Sequence, residues 1–468
     1  MKLMDPLDAV MMIGEVLSNP MHAAALLLMS PPEDAGPGYV DEVYREGLIA
    51  GKDLDPRLRR RAHRGLDTLG MWVWQDVDDV DVREHLQRRT LPKGSSEDAL
   101  WRLVAELHAE RLDRSRPLWM TYLIDGLPDG RFAYYVKVHH IVVDGVAGMR
   151  MISDALTTDP TQRSMKPFYA AGPHAPADRA GTGRAIPNPV SVLRSIGGTA
   201  TSTIGFLRQV AGGEASYLAA GLAEGTTVLP LSAPFTRLNG RLGPQRAVAG
   251  GTWPKKRIKA VQEAAGVSGN DVLMAVVAGV LRSWLSGRDE LPKRSLVAFC
   301  PITVRVSGDK SQAEHANLFG LELCPLGTDL ENPAERLALI HRAMVWAKQQ
   351  VASHGSGVTT LLAAPAIAPT ALQSMIPFGP KRRTGYNVPI SNVRGPQTDM
   401  YFNGAHLDAL YPVSTVFDGL ALNATMCSYV DQIAFGYVAG RDVVPDLESF
   451  IPLTERSLAE LEAAVGAG

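Results

Sequence analysis

Only three cysteines, Cys300, Cys324 and Cys427, occur in 468 residues; they are odd in number and widely spaced. That excludes a disulfide framework and fits a reducing compartment. None lies in a Cys-x-x-Cys pair or beside a histidine, so each reads as a small apolar core residue rather than a nucleophile. An excess of either charge is also missing. Forty-seven Lys and Arg against 49 Asp and Glu leave a net charge of −2, which gives no global bias towards nucleic acid. No apolar run is long enough to span a bilayer; the nearest, 361–378, is broken by Pro365, Pro369 and Pro377. The first residues carry Asp5 and Asp8 where a signal peptide needs a basic start and an apolar run. The expectation is a cytoplasmic protein whose membrane contact, at the inner membrane or at lipid bodies, is peripheral.

What is present describes a globular chain, 46% hydrophobic and 21% charged, and too long for one ordinary core. Gly, Pro, Ala and Ser dominate 170–189 without a period, so 167–251 reads as a linker between subdomains at 1–166 and 252–468. Inside it, 190–223 is weakly amphipathic, and either crosses between the halves or rests on lipid. The cluster Lys52, Arg57, Arg59, Arg60, Arg61 and Arg64 reads as a solvated helix face or as a contact for a phosphate-bearing partner. Asp76, Asp78, Asp79 and Asp81 lack the spacing of a calcium loop and read as an exposed turn. Strand-like and helix-like stretches interleave in both halves, which predicts an α/β protein.

One stretch carries chemistry. Phe132, Tyr134, Val136 and Val138 alternate with Ala133, Tyr135, Lys137 and His139, the period of a strand. His139-His140 close that strand, Asp144-Gly145 mark a turn, and a helix-like run follows. Successive residues on a strand face opposite ways, so one imidazole can face a cleft while the other is buried. Asp144 can hold a ring through its N–H, which leaves the other nitrogen free as a base. A pair of structural histidines before an ordinary Asp-Gly turn is the bland alternative. In the second half, Asn270 stands where it could cap the helix that follows.

The whole pattern His-His-x-x-x-Asp-Gly resembles the active-site motif of the coenzyme A-dependent acyltransferase superfamily, which includes chloramphenicol acetyltransferase and peptide-synthetase condensation domains. Further motifs occur in order: Pro117-Leu118-Trp119, Asn270-Asp271 and Asn392-Val393-Arg394-Gly395-Pro396. With residues 110–119 and 409–414, this set resembles the bacterial, actinobacterial-type wax ester synthase/acyl-CoA:diacylglycerol acyltransferase family over nearly the whole chain. Two departures stand out. Asp5-Pro6-Leu7-Asp8 replaces the usual Ser-Pro-x-Asp, with Met11-Met12 after it, and Arg394 stands where a second proline is common.

The resemblance implies two chloramphenicol-acetyltransferase-like subdomains with the active-site channel between them. It implies acyl transfer from acyl-coenzyme A to diacylglycerol or a long-chain alcohol, with acyl-coenzyme A as donor substrate and neither metal nor cofactor. It makes His140 the base, His139 a support, Asp144 and Gly145 the structural turn, and Arg305 the ion partner of Asp144, with Arg394 second. Asn270, Asp271, Asn392, Arg394, Pro117 and Trp119 become candidates for substrate contact, and the Asn270 amide or backbone N–H groups could meet the oxyanion. Two rivals keep the same fold: a non-catalytic acyl-coenzyme A or lipid-binding protein, and a condensation-type enzyme using a carrier-protein thioester.

Overall fold

The alternation before the two histidines does produce a strand, Phe132–His139, and the first half is assembled around it. The computed structural model describes residues 1–17, 19–170, 228, 232–303, 319–354 and 383–467. Strand Phe132–His139 is held antiparallel on both sides, by His22–Ser30 and by Trp119–Asp125. Leu86–Thr90 adds a parallel edge beyond Trp119–Asp125. The other edge comes from the far end of the chain: Ala405–Val413 pairs with His22–Ser30, and Tyr401–Phe402 pairs with Ala405–Val413.

A second six-stranded sheet runs in the order Phe319–Pro325, Val297–Thr303, Val388–Arg394, Leu422–Tyr429, Gln432–Gly440 and Arg246–Pro254. Its central strand Val388–Arg394 is parallel to both neighbours. Helix Gly269–Ser286 is buried almost all round, from Val272 through Leu281, as its near-continuous apolar run requires. It packs with Lys255–Ala265, Pro333–His354 and Phe450–Val465 against that sheet.

The halves are not separate bodies. Tyr135, Tyr122 and Leu26 of the first sheet share one core with helix Glu97–Ala109 and with Val248, Ala434 and Val438 of the second. Close approach depends on Gly436, where an added Cβ would lie 1.9 Å from the carbonyl oxygen of Pro412. Strands and helices therefore interleave in both halves as expected, but strand Ala405–Val413 crosses over, and strand Arg246–Pro254 begins inside the span read as linker. Residues 171–227 of that span lie outside the described residues. The basic cluster forms no helix. Its residues make 3-10 turns and strand Arg60–His63 of a small three-stranded sheet with Val73–Asp76 and Lys2–Leu3.

Candidate active site

His139 ends the strand fully buried, directly across from His22. The Ile141 N–H donates to its Nδ1 at 3.2 Å, so the ring proton belongs on Nε2, which lies 3.5 Å from Glu15 Oε2. Glu15 comes from helix Pro6–Leu17 and also accepts from the Met21 N–H at 3.3 Å. Burial pushes its carboxyl up, but His139, the Met21 N–H and Arg111 outweigh that and hold it below the usual value. Asp8, on the same helix, is pushed up to about 6 by burial and by Asp5, with His139 pulling the other way.

His140 leaves the strand one residue on. Its N–H donates to the Met21 carbonyl at 3.0 Å, and its half-buried ring is depressed below the ordinary histidine value. Burial is the main cause, His139 adds to it, and the carbonyl of His140 itself and Asp144 oppose it. Strand parity puts His140 on the side of Val138, which packs with Ala147 and Met151 of helix Gly145–Asp154.

The turn between strand and helix is closed by the Val142 N–H donating to the His139 carbonyl at 2.9 Å. Ile141 and Val143 are buried beneath it. Asp144 is the N-cap: its Oδ1 accepts from the Ala147 N–H at 2.8 Å. The expectation that it clamps an imidazole is corrected: the His139 ring meets the Ile141 N–H and Glu15, and Met21 holds the backbone N–H of His140. Gly145 opens the helix in the open, with no atom near an added Cβ. Arg305 lies outside the described residues. Arg394 is exposed, opposite Ser428, and makes no ion pair with Asp144.

The second half contributes strand Val388–Arg394, which lies against helix Gly145–Asp154. Asn392 is exposed on that strand. Asn270 and Asp271 begin helix Gly269–Ser286, but Ser268, not Asn270, is the cap. Asp271 completes a capping box with Ser268 and lies 2.8 Å from His341 Nδ1. It is a buried structural carboxylate. Asn270 is half-buried and faces Met274 Sδ at 3.4 Å. Pro117 and Trp119 are corrected from substrate contacts to packing residues. Trp119 is fully buried, stacks on His85 and Tyr169, and donates its indole N–H to the Leu58 carbonyl at 3.0 Å.

Sequence reasoning missed the polar layer behind His139. His22 Nε2 donates to the His108 carbonyl at 2.9 Å, and His108 Nδ1 meets the Tyr135 hydroxyl at 2.7 Å. Buried Lys137 donates to the carbonyls of Leu107 and Glu110 at 2.6 and 2.9 Å, satisfying the C-terminal end of helix Glu97–Ala109. Burial lowers it to about 8. The strand period had shown only that Lys137 and His139 share a face.

Two mixed sheets, the first with a strand that ends in a His-His-x-x-x-Asp-Gly turn, form a coenzyme A-dependent acyltransferase fold. The wax ester synthase/diacylglycerol acyltransferase catalytic domain matches residues 4–273, and the WS/DGAT C-terminal domain matches residues 315–462. The chain belongs to that family. It is 37% identical to a Mycobacterium tuberculosis protein that carries the name diacylglycerol O-acyltransferase, over 99% of this chain and 100% of the relative. A Mycobacterium bovis protein with the same name is 38% identical over 98% of this chain and 90% of its own length. The solved wax ester synthase/diacylglycerol acyltransferase from Marinobacter aquaeolei superposes with a TM-score of 0.77 at 32% identity, covering 99% of this chain and 100% of that one. The first condensation domain of the CDA synthetase, 16% identical, covers 99% of this chain and 96% of its own at a TM-score of 0.54. That likeness concerns the fold alone.

Proposed function

We propose that the protein is an O-acyltransferase that moves a fatty acyl group from acyl-coenzyme A to a lipid hydroxyl, with diacylglycerol or a long-chain alcohol as acceptor. The observation that carries the reading is His140: a half-buried imidazole one residue past the strand and four before the Asp144 cap, depressed below the ordinary histidine value by burial. An alcohol is a weak nucleophile at that pH and needs a positioned base. His140 Nε2 takes the hydroxyl proton as the oxygen attacks the thioester carbon. The tetrahedral oxyanion collapses, the carbon–sulfur bond breaks, and the coenzyme A thiolate collects the proton from the imidazolium. Written this way the transfer balances without metal, redox cofactor or acyl-enzyme.

The thiols fit that scheme, since Cys300, Cys324 and Cys427 are buried, and burial pushes Cys427 up to about 12. Asn270 and Asn392 are the side chains we assign to substrate contact in the channel. Both acceptor classes partition out of water, so we infer peripheral contact with a lipid surface. No single helix among the described residues is long and apolar enough to cross a membrane. The test offers acyl-coenzyme A with diacylglycerol, with a long-chain alcohol and, separately, an acyl carrier-protein thioester donor. Ester formation from acyl-coenzyme A supports the reading. Binding without turnover, or turnover from the carrier thioester alone, would replace it with one of the rivals.

A further inference from the structure

Strands Arg60–His63 and Val73–Asp76 form a ribbon whose closed end spans residues 64–72. Leu66 is 96% exposed and Leu69 84%, the two most exposed large apolar side chains among the described residues. Leu69 also has φ +52°, left-handed backbone that glycine or asparagine adopts more easily than leucine. Leucine there gains neither packing nor backbone ease from the fold.

The tip is nonetheless well built. The Gly65 N–H donates to Thr68 Oγ1 at 3.0 Å, Thr68 Oγ1 donates to the Met71 carbonyl at 2.8 Å, and the Gly70 N–H donates to the Gly65 carbonyl at 2.9 Å. Its one carboxylate, Asp67, is held by His63 at 2.8 Å. Arg64 lies over the Trp72 ring and donates to the Gly70 carbonyl, while Arg61 donates to Gln75 and to the Ser115 carbonyl. Among the described residues neither cation has a carboxylate partner. At its base the ribbon packs Ala62, Trp72 and Trp74 with Met12 and with Ile141 and Val142, the turn directly after His139 and His140.

We infer that this tip is a lipid-surface anchor: Leu66 and Leu69 enter the acyl boundary of an anionic phospholipid surface, with Arg61 and Arg64 at the headgroups. Because the ribbon's base meets the histidine turn, anchoring sets the active site beside the surface that holds the acceptor. The inference rests on the lipid-acceptor reading above, and the experiment separates the two. Vesicles of phosphatidylcholine with phosphatidylglycerol are cosedimented with wild type, Leu66→Asn, Leu69→Asn, the double variant, Arg64→Gln and His140→Ala.

Each leucine change should weaken vesicle binding about tenfold, with a melting temperature unchanged or, for Leu69→Asn, raised. Arg64→Gln should lose affinity for anionic vesicles only, and His140→Ala should bind like wild type. Turnover of a short-chain soluble alcohol should be unchanged in the double variant, while apparent KM for vesicle-borne diacylglycerol rises. Equal vesicle binding by wild type and a folded double variant overturns the anchor. So does a change in self-association in place of vesicle binding, which would make the tip a protein contact. Tip-dependent binding without lipid acyl transfer by the wild type would uphold the anchor and defeat only the assigned reaction.

Discussion

At the residue scale, the two adjacent histidines differ in what surrounds each. His139 is enclosed between the Ile141 N–H and Glu15, whereas His140 is half-buried and held by its backbone N–H to the Met21 carbonyl. Because burial depresses His140 from 6.5, its working neutral form should persist as pH falls below that value. The acid limb of kcat/KM should therefore have its midpoint below 6.5, and a midpoint above 7 would contradict the assignment. The two carboxyls near His139 give opposite signs in thermal melts. Glu15 is lowered, so its contribution is present above its unfolded value of 4.5 and fades as pH falls through the folded one. Glu15→Gln should lower Tm at pH 7 and much less at pH 3. Asp8 is raised to about 6, so its ionised form opposes folding above that pH. Asp8→Asn should raise Tm at pH 8 and leave it unchanged near pH 3. Equal shifts at both pH values for either variant would count against these environments.

At the scale of elements, helix Gly145–Asp154 depends on its cap. Asp144→Ala should cost about 1 kcal/mol, and Asp144→Asn should cost little because asparagine caps as well. Urea unfolding distinguishes this from an ion pair with Arg305, whose one-sided loss would cost about 3–5 kcal/mol. The histidine strand was legible because its period, its closing residues and its turn are contiguous. The roles of Glu15 and Asp8 were not, since they lie on a helix far back in the chain and reach His139 only through strand His22–Ser30 and its neighbours. Pro117 and Trp119 misled for another reason. A recurrent motif marks a position that matters without saying whether it touches substrate, and here a buried indole bonded to the Leu58 carbonyl holds the core.

For the whole molecule, the two sheets form one cooperative body through strand Ala405–Val413 and the core it shares with both halves. Nothing local in 405–413 says which sheet receives that strand. Gly436→Ala would set a Cβ against the Pro412 carbonyl, and the whole protein, not one half, should unfold at lower temperature; two separated transitions would contradict a shared core. The buried polar layer predicts acid sensitivity on the same scale. His22 and His108 stay neutral in the fold, His108 down to about 3, while the unfolded chain protonates them near 6.5. Stability should fall with pH below 6.5, by about 1.4 kcal/mol per pH unit for each ring. The central claim, that His140 is the base for acyl transfer to a lipid hydroxyl, is tested most directly by the turnover of purified His140→Ala with acyl-coenzyme A and diacylglycerol. The account predicts a loss of about two orders of magnitude or more with an unchanged melting temperature; a folded variant that still acylates diacylglycerol at near the wild-type rate would contradict it.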